Sequence, residues 1–298
     1  MLSETLSLTA GITEQSIQFT VDGQCLYGNM IRTESAKKTG IVFLHGWGGV
    51  RSGPHNIISY YARELAKEGY ASIRFDFRGR GESDGDPSLG VQDTMLNMGD
   101  DAVAAAKLLM EECAVDKLVF FGICSGGNVG IGILDQLDSV KGLFLLSVYP
   151  FGDADDFSRE ARRSMNFFKE YCRKLFLAST WKRFFKGEID FGSISKILLK
   201  PFAKKPESDE KPSSNKNPKE TGKGPLENLL LNKPELLMIY GDADPEFQSS
   251  IDYYRAFTDK TNYPVHYEII EAANHNFYAI EWKDAILAKL KKHLETIS

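Results

Sequence analysis

A cysteine bracketed by two glycines is the strongest chemical signal in the chain. Residues 122–127 read Gly-Ile-Cys-Ser-Gly-Gly, directly after the apolar run 117–121 and before a helical pattern. A sharp strand-to-helix turn raises one side chain above a sheet, and the residues two positions away must be small to avoid a collision. Gly122 and Gly126 meet that requirement around Cys124. The pattern predicts that Cys124 is a nucleophile whose pKa is lowered by the N-terminus of the following helix.

Ser125 is the alternative nucleophile in this turn. Its neighbour two positions earlier is Ile123, whose β-branched side chain fits such a turn poorly. A glycine-rich turn of this kind could also hold a buried thiol that does not react. We favour Cys124 because further residues of the chain supply the partners that a thiol nucleophile needs.

A carboxylate and a histidine follow the cysteine in the order that this chemistry requires. Asp244 lies in the Gly-Asp-Ala-Asp-Pro segment after a predicted strand, with Asp242 as the local alternative. His275 lies on the loop after the next predicted strand. A carboxylate can orient an imidazole, which then takes the thiol proton and later protonates the leaving group. Both aspartates could instead serve turns or helix caps, and a loop histidine could simply be solvated.

A glycine-rich segment that reads His-Gly-Trp-Gly-Gly from His45 follows another buried strand. Such a turn can direct a backbone N–H into the site, where it forms an oxyanion hole with the N–H of the residue after the nucleophile. We assign the two donors to Trp47 and Ser125, and we expect His45, Gly46 and Gly48 to contact the substrate. A plain tight turn is the alternative.

Strands and helices alternate along most of the chain. The patterns predict strands at 16–21, 25–31, 40–45, 70–76, 117–121, 143–148, 236–240 and 265–270, and helices at about 55–67, 91–112, 127–138 and 279–295. This alternation is typical of a doubly wound, mostly parallel sheet with helices on both faces, so the predicted fold class is α/β.

The alternation breaks in the middle of the chain. Residues 151–227 begin as a helical, basic and aromatic stretch and continue near 203–224 as a segment rich in Lys, Glu, Ser, Pro and Asn. The second part is predicted to be a disordered linker. The sheet would therefore be built from 1–150 and 228–298, with 151–227 inserted as a helical cap of the kind that often covers an active site.

The basic part of the insertion is a candidate contact surface. Residues 159–186 contain nine Lys or Arg and two Glu, interleaved with seven aromatic residues. The aromatic residues could face the active site while the charges face water. Alternatively, the segment could contact an anionic membrane or a lipid-linked sugar peripherally.

Composition restricts the remaining classes. The net charge of −5 gives no indication of nucleic-acid binding. The four cysteines form no CxxC pair, so we expect neither a metal site nor a disulfide framework, and no cofactor is required. The sequence begins without a basic segment followed by an apolar one, and no apolar run reaches 18 residues. We therefore expect a cytoplasmic protein without a secretory signal or membrane span.

The order Cys124, Asp244, His275 resembles that of the α/β-hydrolase superfamily over about 16–150 and 228–298. The Gly-x-Cys-x-Gly turn is similar to that of dienelactone hydrolases, and the region 156–200 resembles exosortase-associated hydrolases of exopolysaccharide systems. The resemblance implies an enzyme that hydrolyses carboxylic esters or thioesters of a small acyl substrate. An acyltransferase that uses the same site, and a non-catalytic binding or scaffold protein with the same fold, are the alternatives.

Overall fold

A nine-stranded sheet runs through the part of the chain that the computed structural model describes, residues 5–34, 36–89, 91–150 and 225–297. The strands lie in the order β1-β2-β3-β5-β4-β6-β7-β8-β9. Pairing is antiparallel from β1 to β5 and parallel from β5 to β9, which confirms the predicted α/β class. The strands are β1 (Thr5–Thr9), β2 (Ile12–Val21), β3 (Gln24–Thr33), β4 (Thr39–Leu44), β5 (Ser72–Phe75), β6 (Lys117–Ile123), β7 (Val140–Leu146), β8 (Glu235–Gly241) and β9 (Val265–Ile270).

Helices cover both faces of this sheet. Those in the described residues are α1 (Ile57–Ala66), α2 (Val91–Cys113), α3 (Ser125–Gly132), α4 (Leu229–Asn232), α5 (Phe247–Thr261) and α6 (Ile280–Ile297). Alternate residues of β4 enter two separate apolar clusters, because successive side chains of a strand point to opposite faces. Ile41 and Phe43 pack in the cluster with α1 and α6, whereas Val42 and Leu44 pack in the cluster with α2, α3 and α5.

The short helix α4 was not predicted, and three longer elements differ from the predictions. The helix after Cys124 ends at Gly132 rather than continuing to 138, because four of its eight residues are glycine, which is a weak helix former. The sequence pattern did not predict β1, which is a largely exposed edge strand. It also did not predict α5, whose buried residues are only four among fifteen, so its apolar face is narrow.

The parallel half of the sheet brings the predicted site residues together at the carboxyl ends of its strands. The five neighbouring strands β4, β6, β7, β8 and β9 are parallel, so their carboxyl ends meet at the same edge of the sheet. The loops at these ends carry Trp47, Cys124, Tyr149, Asp244 and His275. Ligand sites of open α/β sheets lie at this edge.

Most of the predicted insertion at 151–227 lies outside the described residues, which resume at 225. The predicted linker near 203–224 and the candidate contact surface at 159–186 lie outside them entirely. The division of the chain into core and cap therefore stays a prediction. Among the helices that the structure describes, none combines the length and apolar character needed to cross a bilayer.

The turn between β6 and α3 is packed so closely that it has no room for side chains at two positions. A Cβ atom added to Gly122 would lie 2.5 Å from the Cα of Gly127. A Cβ atom added to Gly126 would lie 2.3 Å from the carbonyl oxygen of Leu44 and 2.5 Å from that of His45. Glycine is thus required for α3 to begin directly against the end of β4.

We expect Gly126→Ala to lower the free energy of unfolding by about 3 kcal/mol or more, because the atoms that it meets belong to the backbone and cannot rotate away. Urea denaturation measures the change. Gly132→Ala in the same helix is the matched control, since its Cβ would meet no heavy atom within 4 Å and alanine favours helix. Equal stability of the two variants would contradict the close packing described for this turn.

Candidate active site

Cys124 occupies the strained position of the turn. Its backbone lies at φ 55° and ψ −126°, in a region that non-glycine residues rarely adopt and that costs on the order of 1–3 kcal/mol. The side chain lines a cavity at the carboxyl edge of the sheet. Ser125, the alternative nucleophile, is instead the first residue of α3 and is buried.

Asp244 and His275 are joined by a direct hydrogen bond. The Nδ1 atom of His275 lies 2.6 Å from Oδ2 of Asp244, whose side chain is buried. The other carboxylate oxygen of Asp244 accepts a hydrogen bond from the Glu246 N–H at 3.0 Å. The two loops are also tied by the backbone, since the Ala243 N–H donates to the Ala273 carbonyl. Asp242, the local alternative, is exposed.

Cys124 and His275 shift each other's pKa in the directions of an ion pair. Burial acts to raise the pKa of Cys124, but the hydrogen bond and positive charge of His275 outweigh it, and the pKa is lowered. Burial acts to lower the pKa of His275, yet hydrogen bonds to Asp244 and Cys124 and their negative charges raise it to about 10. The two shifts reinforce each other, and both favour transfer of the Cys124 proton to His275.

Tyr149 is a site residue that the sequence analysis missed. It follows β7, lines the cavity with Cys124, and its side chain hydrogen-bonds the thiol, which helps to lower the pKa of Cys124. Its ring centroid lies 6.4 Å from that of His275. Asn128 holds its backbone by donating to the Tyr149 carbonyl at 2.9 Å, and Tyr254 donates to the Asn128 side chain at 3.1 Å. The sequence did offer one signal for Tyr149, since it follows β7, the strand that pairs with β6 beside Cys124.

The glycine-rich segment after β4 brings a backbone donor next to the start of α3. The Trp47 N–H donates to the Ser125 hydroxyl oxygen at 2.6 Å. Arg80 fixes the other side of this residue, because its Nε donates to the Trp47 carbonyl at 2.6 Å and its guanidinium lies 5.2 Å from the centre of the Trp47 ring. The two predicted oxyanion donors thus belong to residues in direct contact, with the Ser125 side chain bound to one of them.

His45 does not line the cavity, although the sequence analysis assigned it to substrate contact. Its ring is fully buried, its Nδ1 bonds the Gly46 carbonyl at 2.8 Å, and its Nε2 accepts from the Phe77 N–H at 3.2 Å. Burial lowers the pKa of His45 to about 4, so the ring is neutral and can accept this bond. His45 therefore positions the loop. Gly46 and Gly48, which were assigned with it, do line the cavity.

The cavity beside Cys124 has a volume of about 440 Å³. Its wall in the described residues is made of the glycine-rich segment, the turn and the loops after β7 and β9 (Gly46, Trp47, Gly48, Gly49, Val50, Gly53, Pro54, Ile123, Cys124, Tyr149, His275 and Asn276). Another cavity, of about 500 Å³, lies against β2, β3 and α2, away from the cysteine and histidine. Only the first of these two brings a nucleophile and a base together.

Comparison with known proteins agrees with this geometry. Residues 40–279 match the family model of the alpha/beta hydrolase fold. A stretch of 97 residues is 30% identical to a lysophosphatidylserine lipase, ABHD12, of Danio rerio, and this match spans 33% of the chain but only 23% of that protein.

Solved structures show the same fold at low identity. The esterase PF2001 of Pyrococcus furiosus has a TM-score of 0.56 at 18% identity, with 94% of this chain and 90% of the esterase covered. A dienelactone hydrolase of Anabaena variabilis has a TM-score of 0.56 at 14% identity, with 95% and 96% covered. An alpha-beta serine hydrolase homologue of Coxiella burnetii also has a TM-score of 0.56, at 15% identity, with 93% and 97% covered.

We expect iodoacetamide to alkylate Cys124 rapidly at neutral pH and more slowly as the pH falls through its lowered pKa, because only the thiolate reacts. Asp244→Asn should raise the pKa of Cys124 again, since His275 loses the negative charge that keeps it protonated. Mass spectrometry of tryptic peptides labelled between about pH 5 and 8 measures both rates. Cys113, whose pKa is raised by burial, is the internal control. If Cys124 is labelled no faster than Cys113, the ion pair is wrong.

Proposed function

The chain belongs to the α/β-hydrolase fold family, and on that premise we propose that it hydrolyses carboxylic esters or thioesters with Cys124 as nucleophile. The observation that carries the proposal is the arrangement of side chains, because Cys124 and His275 line one cavity and His275 is bonded to Asp244 at 2.6 Å. The lowered pKa of Cys124 agrees with this arrangement. An activated thiol at a strained turn favours an enzyme over a protein that only binds or scaffolds, because perturbed pKa values and backbone strain concentrate at active sites. A thiol nucleophile also agrees with the reducing, cytoplasmic setting expected from the sequence.

In the first step, the Cys124 thiolate attacks the substrate carbonyl and forms a carbon–sulfur bond. The carbonyl electrons move to oxygen, and the resulting oxyanion takes hydrogen bonds from the N–H groups of Trp47 and Ser125. The electrons then return, the bond to the leaving group breaks, and His275 gives its proton to the departing alkoxide or thiolate. An acylated cysteine and a neutral His275 remain.

In the second step, neutral His275 takes a proton from water while the water oxygen attacks the acyl carbon of the thioester. The same two N–H groups receive the second oxyanion. When that intermediate collapses, the carbon–sulfur bond breaks, the acid leaves, and the thiolate–imidazolium pair is restored. Asp244 holds the His275 ring in position and stabilises its positive charge in both steps.

Thiol chemistry favours activated acyl groups over amides, because a thiolate is also a good leaving group and the intermediate must expel the other substituent. Esters and thioesters meet this condition. The partial match to a lysophosphatidylserine lipase supports an ester as substrate, but it spans a quarter of that protein or less. An acyltransferase would share the first step and use an alcohol in the second.

We expect Cys124→Ala to reduce kcat for short p-nitrophenyl esters by at least about a thousandfold, because the covalent step is lost. Initial rates with esters and matched thioesters measure the effect, and added primary alcohols distinguish transfer from hydrolysis by the products. Cys25→Ser, at a cysteine in β3 outside the cavity, is the control for general loss of structure. Full activity of the Cys124→Ala protein would remove the mechanism.

We expect Ser125→Ala to raise kcat a few-fold. The Ser125 hydroxyl accepts the Trp47 N–H in the free protein, so an oxyanion must displace a hydrogen bond worth about 1 kcal/mol. Removing the hydroxyl leaves the donor free while the backbone N–H of residue 125 is kept. Steady-state kinetics should show the change in kcat, and the rate of Cys124 alkylation should stay constant. A tenfold fall in kcat would mean that the hydroxyl takes part in catalysis instead of competing with the oxyanion.

A further inference from the structure

A second group of chemically active side chains lies at the opposite end of the parallel strands, where the strands begin. Glu235 is the first residue of β8, His266 is the second residue of β9, and His293 lies in the last part of α6. One ligand atom from each lies within 4.8 Å of the other two. Asp244 and His275 follow the other ends of the same two strands, so this group is separate from the site described above.

The contacts within the group already bring its polar atoms together. Nδ1 of His293 lies 2.5 Å from one carboxylate oxygen of Glu235, and the Thr296 hydroxyl donates to the other. The ring centroids of His266 and His293 are 4.7 Å apart, with the rings tilted by 56°. A hydrogen bond between helix and strand would need only Glu235 and His293. The second imidazole, contributed by another strand, is what makes this a set of metal ligands.

We propose that Glu235, His266 and His293 bind a divalent transition-metal ion, with Zn²⁺ as the ion that fits best. Two imidazoles and one carboxylate are a common ligand set for zinc, which also takes water in the fourth position. Tetrahedral bonds of about 2.0–2.1 Å place ligand atoms roughly 3.3 Å apart, which side-chain rotation can reach from the present spacing. His293 is buried and His266 is exposed, so the ion would enter from solvent and keep an open position for water.

The consequence of such an ion would be structural. β9 is one of the two edge strands of the described sheet, and α6 is the last described helix. The ion would join each of them to β8. Because the ion binds the folded arrangement of three separate elements, it would raise the melting temperature in proportion to its occupancy. The ester hydrolysis proposed at the carboxyl ends of the strands uses no metal ion. Chelation should therefore leave that activity unchanged at moderate temperature.

The test uses the full chain, freed of metal by chelation and carrying Cys124→Ala, because Cys124 and His275 could themselves hold Zn²⁺. Isothermal titration with Zn²⁺ should give one equivalent bound with micromolar affinity, and the melting temperature should rise. His266→Thr, a substitution suited to an exposed strand position, should weaken binding by at least about tenfold. His55→Asn, at a histidine outside the group, is the control and should bind as the parent does.

Cobalt gives a readout that does not depend on stability. Co²⁺ bound to this group should show the visible bands of a tetrahedral or five-coordinate site without the strong near-ultraviolet band of thiolate ligation, and His266→Thr should abolish them. The proposal is overturned if the Cys124→Ala protein binds no Zn²⁺ at about 0.1 mM, far above a micromolar dissociation constant. It is equally overturned if His266→Thr and His293→Ala both bind Zn²⁺ as tightly as the parent.

Discussion

The site depends on one close approach, in which the start of α3 lies against the carbonyl groups at the end of β4. The approach is possible only because residue 126 has no side chain, and it forces Cys124 into a positive φ. Three consequences follow from this packing. The thiol lines the cavity, the N-terminus of α3 lies beside Cys124, and the Ser125 hydroxyl meets the Trp47 N–H. The strain at Cys124 persists because the close packing of Gly122 and Gly126, on either side of it, holds the turn in this conformation.

Hydrogen bonds also fix the orientation of the peptide bond between Gly46 and Trp47. The Gly46 carbonyl is bonded by the His45 ring and by the Gly49 N–H, so the Trp47 N–H of the same planar peptide points the other way, toward Ser125. This arrangement requires a neutral His45, since a protonated ring could not accept the Phe77 N–H. Complete burial of the ring supplies that condition by lowering its pKa.

The sequence predicted what depends on local pattern and missed what depends on packing. Buried strands such as β4 and β6 were evident because every residue except Lys117 is apolar or small, and the glycines around Cys124 marked the turn. The helix α5 was missed because few of its residues are apolar, and Tyr149 was missed because an aromatic residue after a strand usually signals only core. His45 was assigned to substrate because its type suggested chemistry, whereas its burial, which a sequence does not reveal, gives it a role in the loop.

In the proposed mechanism, the pairing of Cys124 with His275 also controls when His275 becomes an effective acid. In the free protein, the hydrogen bond and negative charge of Cys124 contribute to the raised pKa of His275, so the imidazolium holds its proton firmly. In the proposed reaction, the sulfur loses its charge as soon as it bonds to the acyl carbon. The support from Cys124 then disappears and only that from Asp244 remains, which lowers the pKa of His275. The imidazolium therefore becomes a stronger acid at the stage where the leaving group needs a proton, and this coupling follows from holding both groups in one buried site.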